Sequence, residues 1–193
     1  AQVLVGYSTE IKKEQIVRIS GEPGSIPLIE AIYEQVVKAG AHPFVVCQPD
    51  SLTEIFYRHA TERQLKHVSP IVKYTVAKID ASIGLWADTN TKSLTNVEPR
   101  KQATASAARK GLWKTFMGRA AKGELRWTGT QYPTAASAQD AEMSLREYED
   151  FVFAAGHLDK PDPAAEWRKI AKQQQRIVDY LNGKKQIHFR APN

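Results

Sequence analysis

Between Gln15 and Gln48 the apolar residues change period twice. "QIVRIS", Gln15 to Ser20, alternates and runs into Gly21, the pattern of a β-strand. In the segment that follows, Ile29, Ile32, Tyr33, Val36 and Val37 recur at spacings of three and four, the buried stripe of a helix. Ser25 reads as its N-cap, Pro27 as a first-turn residue and Gly40 as its stop. "PFVVCQ" is a strand again. Two strands joined through one helix close as a right-handed crossover with the strands parallel. That unit excludes an all-helical chain and an antiparallel meander.

The rest of the chain continues the alternation. Short helices are expected between Ser51 and Lys78, and "DASIGLWA", Asp80 to Ala87, is a nearly apolar third strand of the kind covered on both faces. A long helix is expected from Pro99 to Lys122, with Leu112, Trp113, Phe116, Met117, Ala120 and Ala121 as its apolar face and Gly123 as its stop. Arg109 projects into that apolar sector, either as an ion-paired structural arginine or as a charge aimed at a second domain. "ELRWTGTQYP" is the fourth strand, ended by Pro133. Helices at Thr134 to Glu142 and Ser144 to Ala155 follow, the second opened by a Ser144–Glu147 capping box. After Pro161 and Pro163, a stripe from Trp167 through Ile170, Ile177 and Leu181 marks a last long helix closed by Gly183. "QIHFRA", from Gln186, reads as a fifth strand. The sum is an α/β fold, a three-layer αβα sandwich on an open, mainly parallel four-stranded sheet of the Rossmann-like or flavodoxin-like kind.

A chain of 193 residues, 42% apolar and 25% charged, is an ordinary globular domain rather than a disordered or membrane-spanning one. No stretch approaches the roughly 18 uninterrupted apolar residues of a membrane span, and no leader precedes the first strand, so a cytoplasmic location is expected. Cys47 is the single cysteine, which rules out an intrachain disulfide and a thiolate metal cluster. Its apolar neighbours make it a small core residue. The net charge of +6 is concentrated, because Arg100 to Lys122 holds seven basic residues and no acidic one. Without a zinc-finger, helix-turn-helix or aromatic RNA-binding pattern, that run reads as a solvated helix face and no nucleic-acid partner is expected.

The strand–loop–helix passage at Gly21 to Ser25 lies where many α/β proteins hold a phosphate. The residues argue otherwise. Its glycines, Gly21 and Gly24, are three apart and match neither Gly-x-Gly-x-x-Gly nor a Walker loop. Glu22 would repel the anion that a helix N-terminus attracts, and Pro27 removes a donor from the first turn. The five histidines, His42, His59, His67, His157 and His188, show no metal-ligand spacing, and no Gly-x-Ser-x-Gly nucleophile elbow occurs. Glu147, Glu149 and Asp150 cluster at a helix N-terminus, where the helix dipole accounts for them.

From Gly123 onward, "YPTAASAQDAEMSLREYEDFVF" and "WRKIAKQQQRIVDYLNGK" resemble the thermophilic-type metalloaminopeptidases, the family of aminopeptidases T and S, and the resemblance implies a leucyl aminopeptidase. "VLVGYSTEIKKEQIVRISGEP", "YEQVVKAGAHPFVV", "IFYRHATERQLKHVSP" and "KQATASAARKGLWKTFM" are also similar to that family, so the resemblance covers essentially the whole chain. It implies an exopeptidase with two divalent metal ions, zinc or cobalt, and a dimeric assembly. It also implies that the ligands, glutamates, histidines and an aspartate, lie in a C-terminal domain. Residues 1–185 are then expected to be the N-terminal αβα domain and 186–193 the start of the next, with no cofactor and no catalytic residue in this chain. Both ends read as cut, since Ala1 is not a methionine and the chain stops after a strand has begun. Glu22, Arg126, Gln131 and Tyr132, expected at the carboxyl-end loops, and Arg109 are the candidates to face the substrate cavity or the second domain. A stand-alone Rossmann-like module for a small ligand and a basic nucleic-acid-binding domain are the alternatives.

Overall fold

The computed structural model describes residues 1–191. Four strands, β1 (Ile16–Gly21), β2 (His42–Cys47), β3 (Ala81–Trp86) and β4 (Arg126–Gln131), form one sheet in the order β2-β1-β3-β4 with every pairing parallel. That order is the flavodoxin-like one. The helices are α1 (Ile26–Lys38), α2 (Ser51–His59), α3 (Glu62–Leu65), α4 (Pro70–Lys78), α5 (Pro99–Ala121), α6 (Ala135–Asp140), α7 (Leu145–Ala155) and α8 (Pro163–Asn182). The chain divides into two compact units, Ala1–Asp150 and the segment from Phe151 on.

The alternation in β1 sets the core. Val17 and Ile19 share a face with Ala81, Ile83 and Leu85 of β3, and Ile29, Ile32 and Val36 of α1 close over them. A π-helical turn at Val3–Ser8, invisible in the hydrophobic pattern, adds Val5 to the same cluster. Tyr33 and Val37, the rest of the expected α1 stripe, stay exposed, because α1 packs on β1 and the edge strand β2 and these two side chains lie toward Val45 at that open edge. The other face of β1 is polar. Arg18 donates to the Ser82 hydroxyl at 2.9 Å, and burial pushes its guanidinium pKa down.

Several sequence expectations change here. Ser25 does not cap α1 with its side chain; its hydroxyl donates to the Glu22 carbonyl at 2.7 Å and tightens the preceding loop. Cys47 is exposed rather than a core residue, because β2 is an edge strand. Of the expected apolar face of α5, Phe116 is buried, whereas Trp113 is 57% exposed and Met117 also reaches solvent. The helix rests on two separate contacts, Ala105 beside Tyr57 and Leu65, and Phe116 with Val76, Ile79 and Leu125. One continuous stripe is therefore not needed. Trp113 instead stacks on Phe116 with ring centroids 5.5 Å apart. Residues 186–191 form no strand, since no strand among the described residues pairs with them.

Local signals were reliable where the chemistry is self-contained. The capping box closes as expected, with the Ser144 hydroxyl donating to Glu147 Oε2 at 2.7 Å and the Glu147 N–H donating back at 3.3 Å. In the second unit, Asp162 caps α8 by accepting from the Ala165 N–H at 2.9 Å, and the Trp167 indole donates to the Gly156 carbonyl at 3.1 Å. No helix among the described residues is long and apolar enough to cross a membrane.

Candidate functional site

In an open parallel sheet the strand order reverses direction at one point, and the loops there part to leave a crevice at the carboxyl edge. Here that point lies between β1 and β3. The crevice is bridged by the chain itself, because Glu22, just past β1, accepts the Ala87 N–H at 2.7 Å just past β3. Gly21 and Gly24 permit the approach. A Cβ on Gly21 would come within 2.6 Å of Ser25 Oγ and 3.0 Å of Leu85 Cβ, and one on Gly24 within 3.3 Å of the Ala87 carbonyl. The glycines thus serve loop-to-strand packing, and a carboxylate stands where a phosphate loop would hold its anion.

The segment after β3 is held from two further sides. Asp50, the N-cap of α2, accepts from the Thr89 N–H at 3.0 Å and the Thr89 hydroxyl at 2.9 Å, as well as from Ser51 N–H. Thr134, which caps α6 through the Ser137 N–H, donates to the Asp88 carbonyl at 2.8 Å. Gln131 completes this rim by donating to Ser137 Oγ at 3.0 Å, and the Tyr132 N–H donates to the Trp86 carbonyl at 2.7 Å. The Trp86 indole lies across Gly129 so closely that a Cβ there would meet it at 2.4 Å. Trp86 is 53% exposed, an aromatic surface at the same edge.

Of the residues singled out from sequence, Glu22, Gln131 and Tyr132 therefore lie at this edge. Arg126 does not. It opens β4 and so stands at the amino edge, where it donates to Glu10 at 2.5 Å and holds that carboxyl below its ordinary pKa. Arg109 stands apart on α5, exposed, with no ion pair among the described residues, so the ion-paired structural role does not hold. Asp50, Thr89 and Trp86 were not anticipated. The signal for Asp50 was present, a short acceptor directly ahead of the helical "SLTEIFYRH".

Burial works against ionisation of Asp50, but the Thr89 and Ser51 donors outweigh it and hold its carboxyl below the ordinary value. A folded pKa below the unfolded one means that the unfolded state binds more protons in acid. The stabilisation is complete above the unfolded pKa and is lost as pH falls through the folded one. Asp50→Ala is expected to lower stability at neutral pH by about 1 kcal/mol, with the difference shrinking in acid. Urea melts at the two pH values check this, and a pH-independent difference would show that the carboxylate charge is not what secures Thr89.

Catalytic equipment is sparse at this edge. The Glu22 and Asp50 carboxylates there each hold a backbone N–H, and the Thr134 hydroxyl holds a backbone carbonyl. Among the described residues no three His, Cys, Asp or Glu side chains converge in a way that could hold a metal ion. The family model for thermophilic metalloproteases (M29) matches residues 1–193. The chain belongs to that family. It is 26% identical over 205 residues to Aminopeptidase 2 of Geobacillus stearothermophilus, an alignment covering all of this chain and 49% of that protein. The fold is similar to wild-type AmpT from Thermus thermophilus, with a TM-score of 0.73 at 17% identity over 94% of this chain and 47% of that one. The chain thus spans about half the length of these relatives. The metal use that the family name carries has no fitting donor set among the residues described.

Proposed function

We propose that this chain is the N-terminal αβα domain of a two-metal aminopeptidase that removes N-terminal residues from peptides. Its part is scaffold and cavity wall, and the metal ligands belong to the half that lies beyond it. The observation that carries this reading is the family match along the whole chain at half the relatives' length. The missing convergence of ligating side chains supports it. Residues 1–185 are the domain proper, and those from 186 on lead into the next. The carboxyl edge bearing Glu22, Gln131, Tyr132 and Trp86 is the surface offered to the substrate cavity, as open α/β sheets offer that edge. Two zinc or cobalt ions and a homodimer, both implied by the family resemblance, and the cytoplasmic setting expected from the sequence complete the reading.

The stand-alone small-ligand module is less well supported, since Glu22 bridges the crevice that such a ligand would enter. The test of the reaction class is turnover by the protein continued past Asn193, on one peptide with a free amine and on its N-acetylated form. Release of the first residue from the free peptide alone is the expected result. Internal cleavage, or equal turnover of the blocked peptide, would overturn an exopeptidase.

A further inference from the structure

Two of the seven cations in the Arg100 to Lys122 run have structural work. Lys101 donates to the Tyr57 carbonyl at 2.8 Å and Arg119 to the Val76 and Ile79 carbonyls at 2.9 and 2.7 Å, each closing the end of a neighbouring helix. Arg109 does not. It borders a hollow of about 300 Å³ between α5 and the α2–α4 segment, whose apolar lining is Phe56, Val68, Val72 and Leu112 and whose polar lining includes His67. An adjoining hollow of about 460 Å³ shares Val68 and Leu112 and adds Lys66 and Lys73. No carboxylate lines either hollow among the described residues. Lys66 is paired with Glu62 outside them, while Arg109 and Lys73 have no ion pair among the described residues.

We propose that this double hollow docks a short acidic peptide segment carrying a Leu- or Phe-sized side chain, with Arg109 and Lys73 facing its carboxylates and Val68, Val72 and Leu112 taking its apolar anchor. Cations around an apolar floor, with no acid among them, complement that chemistry in both sign and polarity. Nucleic acid is a poorer fit. Single strands are held by exposed rings on which bases stack, and Phe56 is already packed edge-on against Tyr57, centroids 5.6 Å apart. A duplex is read by a convex element entering a groove, and this surface is concave. The inference is independent of the peptidase reading, because the occupant is held on α5 and α4 rather than at the carboxyl edge of the sheet.

The test uses fluorescein-Asp-Glu-Leu-Asp-Glu-Phe-amide, whose blocked amine removes it from exopeptidase action, in an anisotropy titration of the 193-residue chain at low salt. Saturable binding is expected, weakened about tenfold or more by Arg109→Glu with Lys73→Glu and left nearly unchanged by Lys122→Glu at the C-cap of α5. Both reversed positions are exposed, and circular dichroism verifies that the variant is folded. Replacing Leu and Phe of the probe by Ser should cost about tenfold. No saturable binding, equal loss in Lys122→Glu, equal binding of the serine probe, or tighter binding of oligothymidylate would each overturn the proposal.

Discussion

The 193-residue chain is expected to release no amino acid from an unblocked peptide, with zinc, cobalt or manganese added, whereas the same chain continued through the half that its relatives possess should do so in a chelator-sensitive way. Metal-assisted hydrolysis needs three or more side chains on each ion and an open coordination position. The described residues offer scattered donors that the fold does not gather. His42 is engaged with Glu14 at 3.0 Å on the surface, and Glu10 is committed to Arg126. Asp50 and Glu22, the carboxylates best placed at the carboxyl edge, each hold a backbone N–H. An activity released from the isolated chain, scaling with its concentration and surviving repurification, would show that a metal-holding group forms within these residues after all.

What makes the carboxyl edge worth testing in the longer protein is how firmly it is built. The loop after β3 is tied to β1 through Glu22, to α2 through Asp50 and to the β4–α6 turn through Thr134. Three elements separated widely in sequence thus fix one short segment, and Trp86 is seated against Gly129 beside it. The cavity-wall role proposed above would call for this kind of support, since groups that position a substrate are effective only when their own supports are rigid.

The sheet was legible because parallel β-strands and their crossover helices write strong periodic signals. All four strands fall within two residues of their expected limits at both ends, and right-handed crossover leaves little freedom in how they pair. Burial was less legible, because it depends on neighbours that periodicity does not name. "PFVVC" reads as core, yet strand order puts it at an edge and leaves Cys47 in solvent. The same holds for Arg126, whose side of the sheet is decided by which end of β4 it occupies. The bond from Glu22 to Ala87 spans 65 positions and joins two loops, so no local pattern could announce it. The π-helical turn at Val3–Ser8 escaped for a different reason, since its period is neither that of a strand nor that of an α-helix.

Arg109 and Arg119 show the same limit within one helix. Arg109 was the arginine that the apolar projection marked, and it faces an open hollow. Arg119 carries the structural role, with its side chain 18% exposed. The guanidinium donates through Nη1 to the Val76 and Ile79 carbonyls and through Nη2 to the Glu124 carbonyl at 3.1 Å. It thereby ties the end of α4 to Glu124, two residues before β4, over the cluster of Val76, Ile79, Phe116 and Leu125. Replacing it by methionine keeps most of the apolar stem but strips those carbonyls of a charged donor. Hydrogen bonds to a charged group contribute about 1.5–3 kcal/mol each in favourable cases, and they do not add fully. Arg119→Met is therefore expected to lower unfolding stability by about 2–4 kcal/mol, a large share of the roughly 5–15 kcal/mol of a typical domain. Arg119→Lys should fall between the two, because an ammonium reaches one or two of the acceptors but lacks the planar fork that serves them together. Urea melts of the three proteins give the ranking, and a lysine variant as unstable as the methionine one would show that geometry rather than charge holds this joint. A methionine variant as stable as the parent would remove the joint from the account of the fold.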